Sequence, residues 1–133
     1  MSLHDTLMYK RKALEYIKEN RKLPPVFKKN WLADLRSGEY KQVTGALNKK
    51  NEQTGKYGYC CLGVACKTQR LPDDLLLDYG TIDNSIANAA KKRKKNIPKI
   101  IQEDSPVSEY LVYCNDTLKW SFKQIANWVE KNL

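Results

Sequence analysis

Eight consecutive residues, Tyr59-Cys60-Cys61-Leu62-Gly63-Val64-Ala65-Cys66, carry three of the chain's four cysteines and no charge. The surrounding sequence is polar and rich in lysine, so this run has the most to gain from burial. It reads as a short helix over 60–68 at the centre of the fold, with Gly63 permitting a close backbone approach. Free cysteines are common in cores as small apolar side chains. The competing reading is a thiol site at a helix N-terminus, where the dipole favours the thiolate. A cysteine nucleophile normally needs a base, and His4, the single histidine, lies far away in sequence. Core packing is therefore the reading adopted.

Zinc is weighed and set aside on spacing. Cys60 and Cys61 are adjacent, and the interval from Cys61 to Cys66 is filled by Leu, Gly, Val and Ala on the same expected helix. Structural zinc sites instead place their ligands on loops that wrap the ion. Cys114 stands alone on another apolar face. No signal sequence points to an oxidising compartment, so disulfides are not expected. No cofactor is assigned. Asp73, Asp74 and Asp78 suit a helix start better than a magnesium site, and Asn115-Asp116 reads as a turn rather than a catalytic pair. Phosphate-loop, dinucleotide and nucleophile-elbow motifs are missing from the sequence. The enzyme class is accordingly the weaker one, with a thiol- or metal-dependent activity ranked third.

The 133 residues, 41% of them hydrophobic, suit one domain (1–133) around one core. No apolar run approaches the roughly 20 residues that cross a bilayer. Met1-Ser2-Leu3-His4-Asp5 lacks the basic-then-apolar order of a secretory signal. A soluble cytoplasmic protein without a membrane partner is expected.

Charge is more informative. The net charge is +9, and it is unevenly spread. Residues 1–59 hold 13 basic and 6 acidic residues, which leaves +7; residues 60–133 hold 11 and 9, which leaves +2. Lys91-Lys92-Arg93-Lys94-Lys95 alone contributes five positive charges. This pattern suits an anionic partner, either nucleic acid or a nucleotide. The candidate contacts are Lys91, Lys92, Arg93, Lys94, Lys95 and Lys99. A second basic group comprises Lys10, Arg11, Lys12, Arg21, Lys22, Lys28 and Lys29. Tyr40, Tyr57 and Tyr59 lie near Lys41 and Lys56, where aromatics on a basic strand can stack bases; ordinary cross-strand packing is favoured for them.

The periodicity predicts an α+β fold: a β-hairpin packed with a central cysteine-bearing helix and a C-terminal helix pair. A first helix spans 5–20, its core stripe formed by Leu3, Leu7, Leu14 and Ile17. Leu23-Pro24-Pro25 ends it, and a short second helix follows around Trp31, Leu32 and Leu35. Strands over 40–47 and 56–59 form the hairpin around the polar loop 48–55. Ser105-Pro106 starts one late helix, whose apolar face is Val107, Tyr110, Leu111 and Cys114. Ser121-Phe122-Lys123-Gln124 is a capping box that starts the last helix. The stretch 91–104 is expected to be a mobile basic segment.

Three ordered blocks carry a likeness: Trp31-x-x-x-Leu35-Arg36-Ser37-Gly38-x-Tyr40; the run from Tyr59 to Cys66; and Asn115-Asp116 followed by Ser121-Phe122-x-x-Ile125-Ala126. They resemble an uncharacterised family of small proteins from tailed bacteriophages and prophages. The resemblance covers about half the chain and implies no catalytic or binding residues. Cys114 departs from it, standing where an apolar residue often precedes Asn-Asp. The resemblance implies a phage-type accessory protein made in the host cytoplasm. The leading expectation is non-enzymatic binding of an anionic partner. The alternative is a protein–protein inhibitor of a host enzyme or an anti-phage defence complex.

Overall fold

A computed structural model of the chain describes residues 2–133 and divides the cysteine run between a strand and a helix. Strand β3 (Tyr57–Tyr59) ends at Cys60, whose extended backbone begins helix α3 (Cys61–Thr68). Cys60 acts as the N-cap: its Sγ accepts a hydrogen bond from the Gly63 N–H at 3.4 Å, where Ser or Asp would ordinarily serve. Residues 61–66 are all buried. Around α3 lie α1 (Leu3–Glu19), α2 (Pro25–Arg36), α4 (Asn84–Lys92), α5 (Pro106–Asp116) and α6 (Phe122–Asn132). Two more strands, β1 (Lys41–Gln42) and β2 (Asn48–Lys50), and two short 3-10 turns, Asp73–Leu75 and Lys99–Ile101, complete the chain. One hydrophobic cluster runs from Ala13 to Leu133, so the fold is a single α+β domain. Helices α2 and α5 pack on α3, α1 packs on α5, and the C-terminal pair α5 and α6 pack on each other.

The sheet corrects the expected hairpin. Its order is β1-β3-β2. The hairpin partner of β3 is β2, antiparallel, with Lys49 opposite Gly58. Of the expected strand over 40–47, the two residues of β1 are paired, and they run parallel to β3, with Gln42 opposite Tyr59. The intervening residues bend, with Gly45 at φ +85°, and carry the chain from one edge of β3 to the other. Asn51 closes the hairpin: its Oδ1 accepts from the N–H groups of Gln53 and Thr54, and Gly55 supplies the left-handed turn residue at φ +73°.

Three helices also differ from expectation. Pro24 and Pro25 do not merely end α1; Pro25 is the first residue of α2, a position where its missing N–H costs nothing. Helix α1 turns Ala13 and Ile17 inward, while Leu3 and Leu7 remain 74% and 55% exposed. The reason is its contact with α5: the Tyr9 and Tyr113 rings stack at 4.6 Å, and Thr6 Oγ1 shares a 2.9 Å hydrogen bond with the Tyr113 hydroxyl. Helix α5 includes Asn115-Asp116 as its last two residues and ends after them, at Thr117. Both serine caps form as expected, at Ser105 and Ser121, the latter with its reciprocal Gln124 bond.

Asn115 is a buried junction rather than a turn. Its Oδ1 accepts from the Cys61 N–H at 3.2 Å and from Gln42 Nε2 at 2.9 Å. Its Nδ2 donates to the Val43 carbonyl at 2.9 Å and to Asp116 Oδ1 at 2.8 Å. Gln42 Nε2 also donates to the Trp120 carbonyl at 2.7 Å. Asn115 and Gln42 together thus tie β1, the start of α3, the end of α5 and the α5–α6 turn. Trp31 Nε1 adds a bond from α2 to the Cys61 carbonyl at 3.1 Å.

The stretch 91–104, expected to be mobile, divides into two parts. Residues 91–96 are exposed, whereas Ile97, Ile100 and Ile101 are buried in the core. Ser105 Oγ donates to the Ile100 carbonyl at 2.5 Å, and the Glu103 N–H donates to the Ile82 carbonyl at 2.7 Å.

Gly63 sets how closely α3 approaches the sheet. A Cβ there would run into the carbonyl oxygen of Leu47 and come within 2.9 Å of its carbonyl carbon. Both obstacles are backbone, and that Leu47 oxygen already accepts from the Cys60 N–H at 3.1 Å. In an ordinary helix a Gly→Ala change gains about 1 kcal/mol. Here the sign is reversed: Gly63→Ala is expected to destabilise by about 2–3 kcal/mol, as overpacking against backbone does. Urea unfolding checks this, and a midpoint at or above that of the parent chain would contradict the packing.

Candidate anion-binding surface

The four cysteines, Cys60, Cys61, Cys66 and Cys114, are all free and buried. Burial pushes the Cys60 thiol up to about 11, despite the opposing pull of the Gly63 and Leu62 N–H groups. It pushes Cys114 up to about 12 and raises Cys61 and Cys66 as well. At neutral pH these thiols are protonated and shielded, so the N-terminus of α3 holds a packing and capping group rather than a nucleophile. Among the described residues, no three His, Cys, Asp or Glu side chains converge as metal ligands. Asp73 is engaged structurally: it accepts from the Tyr59 hydroxyl at 2.5 Å and pairs with Lys67 at 3.2 Å.

The residues expected to contact an anion are all on the surface. Lys91 and Lys92 form the last turn of α4, where cations offset the helix dipole. Arg93, Lys94 and Lys95 close the helix: the Lys95 N–H donates to the Ala90 carbonyl and the Lys94 N–H to the Lys91 carbonyl, both at 2.9 Å. Lys94 takes the left-handed position at φ +59°, which usually falls to glycine. The cluster therefore has a capping role in its backbone while its side chains remain exposed. Lys99 belongs to a different groove, of about 280 Å³, with Arg21, Lys22 and Tyr16. No acidic residue lines that groove, and none of residues 91–95 does. The structure thus joins Lys99 to the second basic group.

A third basic feature extends the Lys41–Lys56 group of the sequence reading by two lysines, Lys49 and Lys50. Lys41, Lys49, Lys50 and Lys56 line one cleft of about 460 Å³ on the sheet, with Glu39 as its one acidic member. The β2–β3 register brings Lys49 and Lys50 there; in sequence they read as loop. Of the three tyrosines considered for stacking, Tyr57 lines this cleft. Tyr59 is buried, and Tyr40 packs edge-on against it at 5.5 Å. Cross-strand proximity of lysines is legible only once register is known.

Charge compensation is sparse. Among the described residues two ion pairs form, Arg36–Glu130 at 3.2 Å and Lys67–Asp73. The chain has 24 basic residues against 15 acidic ones, which leaves a net charge of +9.

The thiols predict both reactivity and pH dependence. In native protein at pH 7, a thiol-specific reagent is expected to label none of the four quickly, and all four once denaturant is added; rapid native labelling would contradict the burial. Because folding raises these pKa values, the unfolded chain ionises first as pH climbs. Stability is therefore retained below about pH 9 and lost progressively between 9.0 and about 12, which denaturation at stepped pH measures.

Comparison with known proteins adds a family. No curated protein and no solved structure matches the chain. No described helix is long and apolar enough to cross a membrane. Residues 23–103, which hold α2, the sheet, α3, α4 and both 3-10 turns, match the family model described as Domain of unknown function (DUF8296), and the chain belongs to that family.

Proposed function

We propose that this protein acts by binding an anionic partner, nucleic acid foremost, without catalysing a reaction on it. The observation that supports it is the net charge of +9 together with two clefts whose charged lining is almost entirely basic. The 91–95 cluster, the Arg21–Lys22–Lys99 groove and the four-lysine sheet cleft are the three parts of the basic surface. Each lysine that meets a phosphate releases counterions, so affinity is set by salt. Tyr57, beside Lys41 and Lys56, supplies a ring against which an unpaired base can stack. The setting that agrees with the three sequence blocks is a phage or prophage accessory protein in the host cytoplasm.

A second reading, inhibition of a host protein, has its own support. Leu3 and Leu7 are exposed on α1, and Leu7 shares a shallow groove with Lys10, Arg11, Leu14 and Lys18 and one acidic residue, Glu15. An acidic protein patch with an apolar centre would fit that face.

Fluorescent single- and double-stranded DNA and RNA, titrated at about 50 and about 200 mM salt, test the first reading. Binding is expected to weaken steeply with salt. Replacing Lys91, Lys92, Lys94 and Lys95 by Gln is expected to lower the salt slope by as much as about 4, roughly one per lost phosphate contact. No binding at low salt would overturn this reading and leave a host protein, captured after nuclease treatment, as the partner to seek.

A further inference from the structure

The register of the sheet gathers positive charge on its outer face. Lys41 on β1 and Lys49 on β2 both stand opposite Gly58 of β3, so the three form one row whose side-chain positions share a face. The two lysines are two strand spacings apart, about 10 Å at the backbone, and no side chain rises from the glycine between them. Val43 and Lys56 lie two residues from Lys41 and Gly58, so strand alternation puts them on this face as well. All five residues line the cleft of about 460 Å³. The other face of the sheet is the core side, where Tyr59 and Asn48 pair and are buried.

Val43 closes the floor of this recess. A Cβ on Gly58 would run into Val43 Cγ1, so the valine methyl already lies against the glycine. Lys49 leans over the bend that follows β1, its Nζ 3.5 Å from where a Cβ on Gly45 would stand. Lys41, Lys49 and Lys56 are exposed, and among the described residues none of them is in an ion pair. Glu39, the one carboxylate of the lining, is exposed and outside any ion pair too.

Lysines on edge strands have an ordinary use, because they discourage pairing with another chain. That use requires charge at the edges and does not require an apolar floor between them. The shape points to the occupant. A duplex is read by an element that projects into a groove about 12 Å wide, whereas this face is a recess. An unpaired strand can bend into it, with its phosphates at the lysines and the face of a base on the valine floor. The 91–95 cluster differs: it is exposed at a helix end, where paired and unpaired strands offer phosphate alike.

On the basis of the anion-binding reading above, we propose that the outer face of the sheet makes this protein prefer an unpaired nucleic-acid strand to duplex, and that Glu39 holds its affinity down. Lys41, Lys49 and Lys56 meet the phosphates of the strand, DNA or RNA, and Glu39 repels them.

Fluorescence anisotropy tests this at about 50 mM salt, with single- and double-stranded oligonucleotides of one sequence, about 16 nucleotides long, in DNA and in RNA. The parent chain is expected to bind the single strand about tenfold or more tighter than the duplex. Lys41→Gln with Lys49→Gln and Lys56→Gln should remove that preference and lower the single-strand salt slope by about 2. Glu39→Gln should tighten single-strand binding about threefold, the scale of one like-charged neighbour at a surface. All four positions are exposed, so melting temperatures should hardly move. The sugar that binds tighter identifies the natural strand, and the triple variant should lose the preference for it. Equal affinity of the parent for both forms, an undiminished preference in the triple variant, or no effect of Glu39→Gln overturns the proposal and leaves anion binding standing. Binding of neither form removes the anion-binding reading and this proposal with it.

Discussion

The carbonyl of Leu47 lies against the α-carbon of Gly63, and this contact fixes the distance between α3 and the sheet. From it follow the burial of residues 61–66, the position of the Cys60 cap and the path of the chain around β3. Asn115 holds the same arrangement from the other side, with bonds to Cys61, Gln42 and Val43. Both constraints are short-range and directional. Hydrophobic burial alone would tolerate a shifted helix, whereas a carbonyl with no room for a Cβ and an amide with fixed partners do not. The cysteines matter here as small side chains that fill the remaining space.

Features encoded within a few residues were legible in the sequence. The serine caps at Ser105 and Ser121, the buried character of α3 and the apolar face of α5 all depend on local spacing. The failures share a different origin. Asn48-Lys49-Lys50 has little strand propensity, and β3 alone determines that it pairs. The parallel pairing of β1 is similarly non-local. In α1 two faces carry apolar residues, and the stacking of Tyr9 on Tyr113 decides which one packs. Leu3 and Leu7, the more hydrophobic pair, are left outside. At Pro24-Pro25 the same residue type stops one helix and starts the next, because a proline at the first helical position loses no hydrogen bond.

The surface was legible to the same degree. A run such as 91–95 is visible in any reading of the chain, and the structure places it at the C-terminal end of α4 with its side chains exposed. The four-lysine cleft depends on strand register, and the Lys99 groove on the packing of the 96–100 segment beside the end of α1. Tertiary structure thus brings lysines that are distant in sequence to one cleft and joins Lys99 to Arg21 and Lys22 in another, while family membership leaves the function open.

The central claim is that α3 is the inseparable core of the domain. Native-state hydrogen exchange of the amides of Val64, Ala65 and Cys66, followed across sub-denaturing urea, measures this directly. The account predicts that they exchange only through global unfolding, with the full urea dependence of the domain. Exchange through a smaller, urea-insensitive opening would contradict it, and would restore the cysteine run as an accessible site.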